Sequence, residues 1–112
     1  MTKVEAIIRP WKFEEVKEAL VQAGVEGITV SEVVRYGRNE EYITTFRGQS
    51  FRQELQSGIK LELVLLDDMV EAVVEAITTA ARTGEIGDGA IFLSAISHAV
   101  RIRNGNQGVA AL

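Results

Sequence analysis

Two stretches with helical spacing, each set between stretches that alternate every second residue, constrain this chain more than any other feature. From Lys3 to Arg9 the side chains alternate, Val4, Ala6 and Ile8 to one side and Lys3, Glu5 and Arg9 to the other. Period two marks a half-buried strand, and Pro10 ends it. Phe13, Val16, Leu20 and Ala23 then recur at helical spacing, with Gly24 as the terminating cap. Ile28 to Arg35, rich in Val, Ile and Thr, reads as a second strand. Ile59, Leu61, Leu63 and Leu65 alternate with Lys60 and Glu62 to give a third. Asp68 followed by Glu71 has the spacing of a capping box, and Val70, Val73, Ile77 and Ala81 form the apolar stripe of a second helix, which Gly84 follows. Ile91 to Ile96 predicts a fourth strand and Val100 to Arg103 a short fifth.

The order is strand–helix–strand, twice, with no shift in composition between the halves. At 112 residues the chain is one domain, 1–112. Two such units predict an α+β fold, a ferredoxin-like double βαβ sandwich with both helices on one face of an antiparallel sheet. The other sheet face then needs cover, and the expectation is an oligomer that packs these faces together. Gly37 to about Ser57 fits no period. Structureless loops beyond about 12–15 residues are uncommon in compact domains and are usually functional or disordered. A disordered insertion and a recognition arm that orders on binding both fit; the second is favoured.

Composition narrows the function. The net charge of −4 argues against general nucleic-acid binding, which needs a basic stripe. With no cysteine, disulfides and cysteine–zinc sites are excluded. Arg9 and Pro10 interrupt the only early apolar run, so no signal peptide is predicted. No apolar run reaches the roughly 18 residues of a membrane helix. The expected location is the cytoplasm.

Chemistry concentrates in Arg82-Thr83-Gly84-Glu85-Ile86-Gly87-Asp88-Gly89-Ala90-Ile91-Phe92, where three glycines fall within six residues. Backbone N–H groups there can turn toward an anion without a Cβ in the way. The plain alternative is a helix cap at Gly84 and a tight turn at Gly87-Asp88-Gly89. Arg101 and Arg103, at strand spacing, put two guanidiniums on one side; they suit either a phosphate or a solvated edge strand. Together the two features suggest a nucleotide site. His98, the only histidine, reads as a surface residue. Asp67-Asp68 reads as helix capping rather than magnesium binding. Glu14 and Glu15 fall in a first helical turn, where the dipole favours them, and Trp11 is expected to pack at the helix start. With no His/Cys metal cluster and no nucleophile–base pair, a binding module is favoured over an enzyme.

Val4-Glu5-Ala6-Ile7-Ile8-Arg9-Pro10, Thr29-Val30-Ser31-Glu32-Val33, Gly37-Arg38, Arg47-Gly48, Thr83 through Gly89, Ile91-Phe92 and Arg101-Ile102-Arg103 resemble the PII nitrogen-regulatory signal transducers. The resemblance runs along nearly the whole chain without a gap. It implies a homotrimer of ferredoxin-like subunits that binds ATP or ADP in the clefts between them. A long T-loop, here about Gly37–Ser57, would dock on transporters, enzymes or regulators of nitrogen metabolism. Gly37, Arg38, Gly87, Asp88 and Gly89 would line the phosphates, and Arg101 and Arg103 would reach across from the next subunit. Thr29 and Val64 would hold the adenine, with Ile7 and Phe92 as apolar walls. Glu40, Tyr42, Arg47, Phe51 and Arg52 are the candidate partner contacts of the T-loop.

The departures from the family pattern carry their own expectations. Ala90 stands where the family usually has a phosphate-binding lysine; losing one such contact costs about 1.5–3 kcal/mol, about 10- to 150-fold in affinity. Asn39 replaces a glutamine and Gly58 a lysine that help bind 2-oxoglutarate and its magnesium, so weak or absent 2-oxoglutarate sensing is expected. Phe51 and Gln49 replace a modifiable tyrosine and serine, so the usual covalent control is not expected. Glu40 and Glu41 followed by Arg47 and Arg52 make a bipolar arm. The alternative within the family is a divergent paralogue tuned to AMP or cyclic AMP that regulates a transporter or carbon metabolism. A slow ATPase lacks an evident base. A trimer without ligand is the remaining alternative.

Overall fold

The structure is a computed structural model that describes residues 1–37, 43–46, 49–52 and 55–112, with 43–46 and 49–52 given as backbone. Strand β1 (Thr2–Ile8) is followed by helix α1 (Phe13–Gln22) and strand β2 (Thr29–Tyr36). Two short strands, β3 (Ile43–Phe46) and β4 (Gln49–Arg52), precede the long β5 (Leu55–Leu65), helix α2 (Val70–Ala81) and β6 (Gly89–Ala95). Four strands form an antiparallel sheet in the order β2-β5-β1-β6, and β3 pairs with β4 separately. This is the expected ferredoxin-like α+β arrangement.

Alternation decides the core. Val4 lies opposite Leu63, and Ala6 opposite Leu61. These side chains, with Ile8 and Leu65, are buried against Val16 and Leu20 of α1 and Val73, Ile77 and Ala81 of α2. Both helices therefore lie on one sheet face. Each fully buried aliphatic side chain contributes about 1.5–3 kcal/mol of transfer free energy. Among the described residues, the opposite face carries no helix. It holds Lys3, Glu5 and Ile7 of β1 beside Lys60, Glu62 and Val64 of β5 and Ala90, Phe92 and Ser94 of β6. Glu5 and Glu62 stand directly opposite each other. Lys3 relieves that repulsion, 2.8 Å from Glu5 and 3.3 Å from Glu62, while Lys60 lies 3.1 Å from Glu62.

Several sequence expectations are corrected. Residues 37–57 are not without regular structure: they include β3 and β4, and β5 begins at Leu55. Asp68 and Glu71 make no capping box, because a 3₁₀ turn, Asp67–Met69, runs into α2. Its backbone supplies acceptors, Met69 N–H to Leu66 O at 3.0 Å and Val70 N–H to Asp67 O, and no side chain caps either helix start. Asp67 instead accepts a 2.7 Å hydrogen bond from the Thr2 hydroxyl and lies 3.1 Å from the Met1 amino group. These partners, the hydroxyl first, lower its pKa. Gly84 is not a helix cap; α2 ends when Arg82 turns extended, two residues earlier. Trp11 does not pack at the helix start. It sits in the 3₁₀ turn Pro10–Lys12, 67% exposed, under the Arg9 guanidinium at 5.3 Å.

The fifth strand is also absent. Residues 102–104 form a turn, closed by Arg101 N–H to Asn106 O and Gly105 N–H to Arg101 O, both 2.8 Å. Asn104 Oδ1 accepts from Asn106 N–H at 3.0 Å, the local side-chain bond that makes asparagine a turn former. Only an isolated bridge, Val100 to Gln107, remains.

Leu61→Ala removes a fully buried side chain from the central contact of β5 with both helices. The expected loss is about 2–5 kcal/mol in chemical denaturation, whereas Val34→Ala, at an exposed position of β2, is expected to change stability by under about 0.5 kcal/mol.

Candidate functional site

The glycine-rich loop begins where α2 stops and ends where β6 meets β1. Gly89 fixes that meeting. A Cβ built there would sit 1.8 Å from the Ile7 carbonyl oxygen, and φ is +114°, so only glycine fits. The residue before it folds back on the loop. Asp88 Oδ2 accepts from the amides of Thr83 (2.8 Å) and Gly84 (2.9 Å), and Oδ1 accepts from the Thr83 hydroxyl and from Arg9 Nε (3.0 Å). The Thr83 hydroxyl first, then the two amides and Arg9, hold the Asp88 carboxyl well below the usual carboxylate range. The carboxylate is thus a brace, and what Asp88 offers a ligand is its backbone N–H.

Two arginines hold the opposite edge of the loop. Arg9 Nη2 donates to Ile86 O at 2.9 Å and Arg35 Nη1 to Gly87 O at 3.1 Å. In a trans peptide the carbonyl and the next residue's N–H point in opposite directions. Pinning Ile86 O and Gly87 O therefore aims the Gly87 and Asp88 amides away from the guanidiniums. Neither amide, nor that of Ile86, makes a close hydrogen bond among the described residues; the turn at 86–87 brings the Asp88 N–H only loosely toward Glu85 O. Adjacent N–H groups without a close partner on a braced turn form a concavity suited to an anion. Among the described residues no group of three or more His, Cys, Asp and Glu side chains could hold a metal.

The other candidate residues fall into separate groups. Thr29 stands opposite Glu62 on β5, with Val64 two residues further along the same face. Ile7 stands opposite Ala90 on β6, with Phe92 two residues beyond. Phe92 and Thr29 stand level across the sheet, at the register of Glu5 and Glu62, but on its two outer strands β6 and β2. Three strand spacings are about 14 Å, too far for one adenine to touch both within a single chain. Arg101 is turned away from the loop. Its guanidinium donates to Ala111 O (3.3 Å) and Leu112 O (2.5 Å), while Arg103 is exposed on the turn, so the two are not paired on one strand side. Gly37 follows β2. Arg38, Asn39, Glu40, Glu41, Tyr42 and Arg47 lie outside the described residues, as do the side chains of Phe51 and Arg52 on β4. His98 is exposed and contacts Gln107 Oε1 at 3.1 Å.

Arg9 and Arg35 were not among the expected site residues. An arginine at a strand end reads as a solvated charge. The one available signal was Gly58, a glycine inside an alternating strand, which marks a close approach of something else.

Fold and loop together define a ferredoxin-like domain with a braced, amide-presenting glycine turn at one end of its sheet. The family model described as "Nitrogen regulatory protein P-II" matches residues 1–106. Proteins named Nitrogen regulatory protein P-II are similar along their length. That of Cereibacter sphaeroides is 51% identical over 108 residues, 96% of each chain, and that of Mesorhizobium japonicum 49% identical over 112 residues, all of each chain. The crystal structure of Arabidopsis thaliana PII bound to citrate is similar with a TM-score of 0.79 and 39% identity, over 99% of this chain and 91% of that one. The chain belongs to the P-II family of nitrogen regulatory proteins, signal transducers that respond to small effectors and act on other proteins.

Asp88 is expected to titrate below the usual carboxylate value of about 3.9. Because its folded pKa is the lower one, the brace contributes fully above about pH 4 and is lost only as pH falls through the lowered value. Thr83→Ala removes the largest cause and is expected to raise that pKa, moving the loss to higher pH. Carboxyl ¹³C titration by NMR of both proteins checks it; an unchanged Asp88 pKa in the variant contradicts the assignment.

Proposed function

We propose that this chain is a signal-transduction regulator that binds an adenine nucleotide, ATP or ADP, between the subunits of a homotrimer. It would control a transporter or an enzyme or regulator of nitrogen metabolism through the Gly37–Ser57 loop. The observation that carries the reading is the pair of amides at Gly87 and Asp88, without a close partner among the described residues, aimed by two arginines and placed at the family's glycine turn. Phosphate oxygens are the acceptors such amides suit best. The separation of Phe92 from Thr29 across the sheet supports a shared site, in which one subunit brings Ile7, Phe92 and the glycine turn and a neighbour brings Thr29 and Val64. The helix-free face, with Phe92 57% exposed in the single chain, is the surface that packing of three copies would cover. The chain's role on this reading is binding, not catalysis, with magnesium accompanying a triphosphate.

A second reading is favoured by Ala90. Without a cation at that position, discrimination for a triphosphate weakens, and AMP or a cyclic nucleotide becomes a competitive effector. Gly58 and Asn39 leave a 2-oxoglutarate site short of two contacts, so sensing of that acid is weak or absent.

Thermal shift across ATP, ADP, AMP, cyclic AMP and GTP tests the reading. Ligand at 100 times its Kd stabilises by about 2.7 kcal/mol, and no shift with any nucleotide overturns it. Two variants probe the contacts. Ala90→Lys is expected to tighten triphosphate binding by about 10-fold or more relative to AMP, measured by calorimetry. Arg103→Ala is expected to weaken nucleotide binding while light scattering still reports a trimer, since an exposed charge adds little to folding.

A further inference from the structure

One arginine joins three segments of the chain. Arg35, the penultimate residue of β2, donates through Nη1 to Gly87 O at 3.1 Å and through Nη2 to Ser57 O, near the start of β5, at 3.3 Å. It reaches both only by crossing the next strand. Val33 stands opposite Gly58, and a Cβ at Gly58 would lie 3.0 Å from Arg35 Nε, 3.2 Å from Val33 Cγ2 and 3.3 Å from Arg35 Cδ. The shaft of the arginine thus fills the space a side chain at 58 would take. This pose has a cost, since Nε is buried and has no hydrogen-bond partner among the described residues. A long side chain laid across a glycine, with one donor unpaired and its tip on two carbonyls, is held there by its tip contacts.

We infer that Arg35 is a positioning residue for anion binding: it aims the Asp88 amide and ties the glycine turn to both strands from which the long loop springs. The inference rests on the reading of that turn as a phosphate cradle. The chemistry is specific to arginine. Its fork donates in two directions at once, whereas lysine offers a point charge that satisfies one carbonyl at a time. Arg9 holds Ile86 O in the same manner, so the turn is gripped twice. Only the Arg35 grip joins it to β2 and β5. A ligand that draws on the Asp88 amide pulls on the Gly87 peptide, and through Arg35 on the first residues of the loop's two stalks. Gly58 is the clearance that permits the connection.

A double-mutant cycle tests this with ATP as the probe. Arg35→Ala is expected to weaken binding about 10-fold by calorimetry, the loss of roughly one charge-assisted contact. Arg35→Lys is expected to recover only part of it. Gly58→Val crowds the arginine shaft and is expected to weaken binding several-fold in the wild-type background, yet to add nothing when Arg35 is already alanine. The inference is overturned if Arg35→Ala binds ATP as wild type does, or if the Gly58→Val loss persists in full beside Arg35→Ala, which would assign it to crowding of Val33. A second measurement does not depend on nucleotide. In the ligand-free protein, Arg35→Ala is expected to lower the ¹⁵N order parameters of the Gly87 and Asp88 amides and leave those of β1 unchanged. If wild type binds no nucleotide, the cradle reading fails while this comparison still decides whether Arg35 holds the turn; unchanged order parameters overturn the positioning role.

Discussion

The approach of β6 to β1 at Gly89 is the constraint from which the site follows. Because a Cβ at Gly89 would collide with the Ile7 carbonyl oxygen, no side chain is tolerated there, where the ladder between the two strands begins. That fixes Asp88 as the last loop residue and sets it beside Arg9, one residue past the end of β1. A shift of one residue in this register would turn Leu93 and Ile91 to the open face and carry Asp88 away from its partners. The same strand therefore organises the core, through Val4, Ala6 and Ile8, and the functional end of the sheet, through Arg9.

The bonds around the loop serve shape more than stability. Contacts among partly exposed groups contribute modestly, because water competes for every donor and acceptor. The apolar core already accounts for folding. What the Asp88 brace and the two arginine grips accomplish is to engage the Thr83 and Gly84 amides and the Ile86 and Gly87 carbonyls, leaving the Gly87 and Asp88 amides without a close partner among the described residues. A binding turn organised in advance loses little entropy when a ligand arrives.

Much of the fold was legible because period two and period 3.6 are strong signals over long segments. α2 was read from Val70, Val73, Ile77 and Ala81 to its observed bounds, and the alternation of β1 named its buried residues. The misses have physical causes. β3 and β4 are four residues each, too short for a period to declare itself. The Asp68–Glu71 spacing mimicked a capping box, but the preceding 3₁₀ turn had already supplied backbone acceptors. Arg101-Ile102-Arg103 looked like a strand, yet Asn104-Gly105 directly after it favoured a turn that absorbs all three, leaving Ile102 99% exposed. At the site, the glycines were visible and the arginines that orient them were not, since nothing local in the sequence says which carbonyl a distant guanidinium will reach.

The partition of the open face bears on how such a domain works. In one chain Thr29 and Phe92 lie on the two outer strands of the sheet, β2 and β6, and Arg101 is occupied with the carbonyls of Ala111 and Leu112. A ligand that uses all of these groups lies, on the proposed reading, across a boundary between copies, and its binding free energy is drawn from the assembly as well as from the chain. On the proposed reading, the glycine turn supplies the part of the site that each chain completes alone. Its link through Arg35 to β2 and β5 places that part, rather than the adenine-facing residues, in direct mechanical contact with the stalks of the loop. Phosphate number, read at the turn, is then the property of the ligand best placed to alter the loop's footing, while the base, read across the boundary, decides whether the ligand stays.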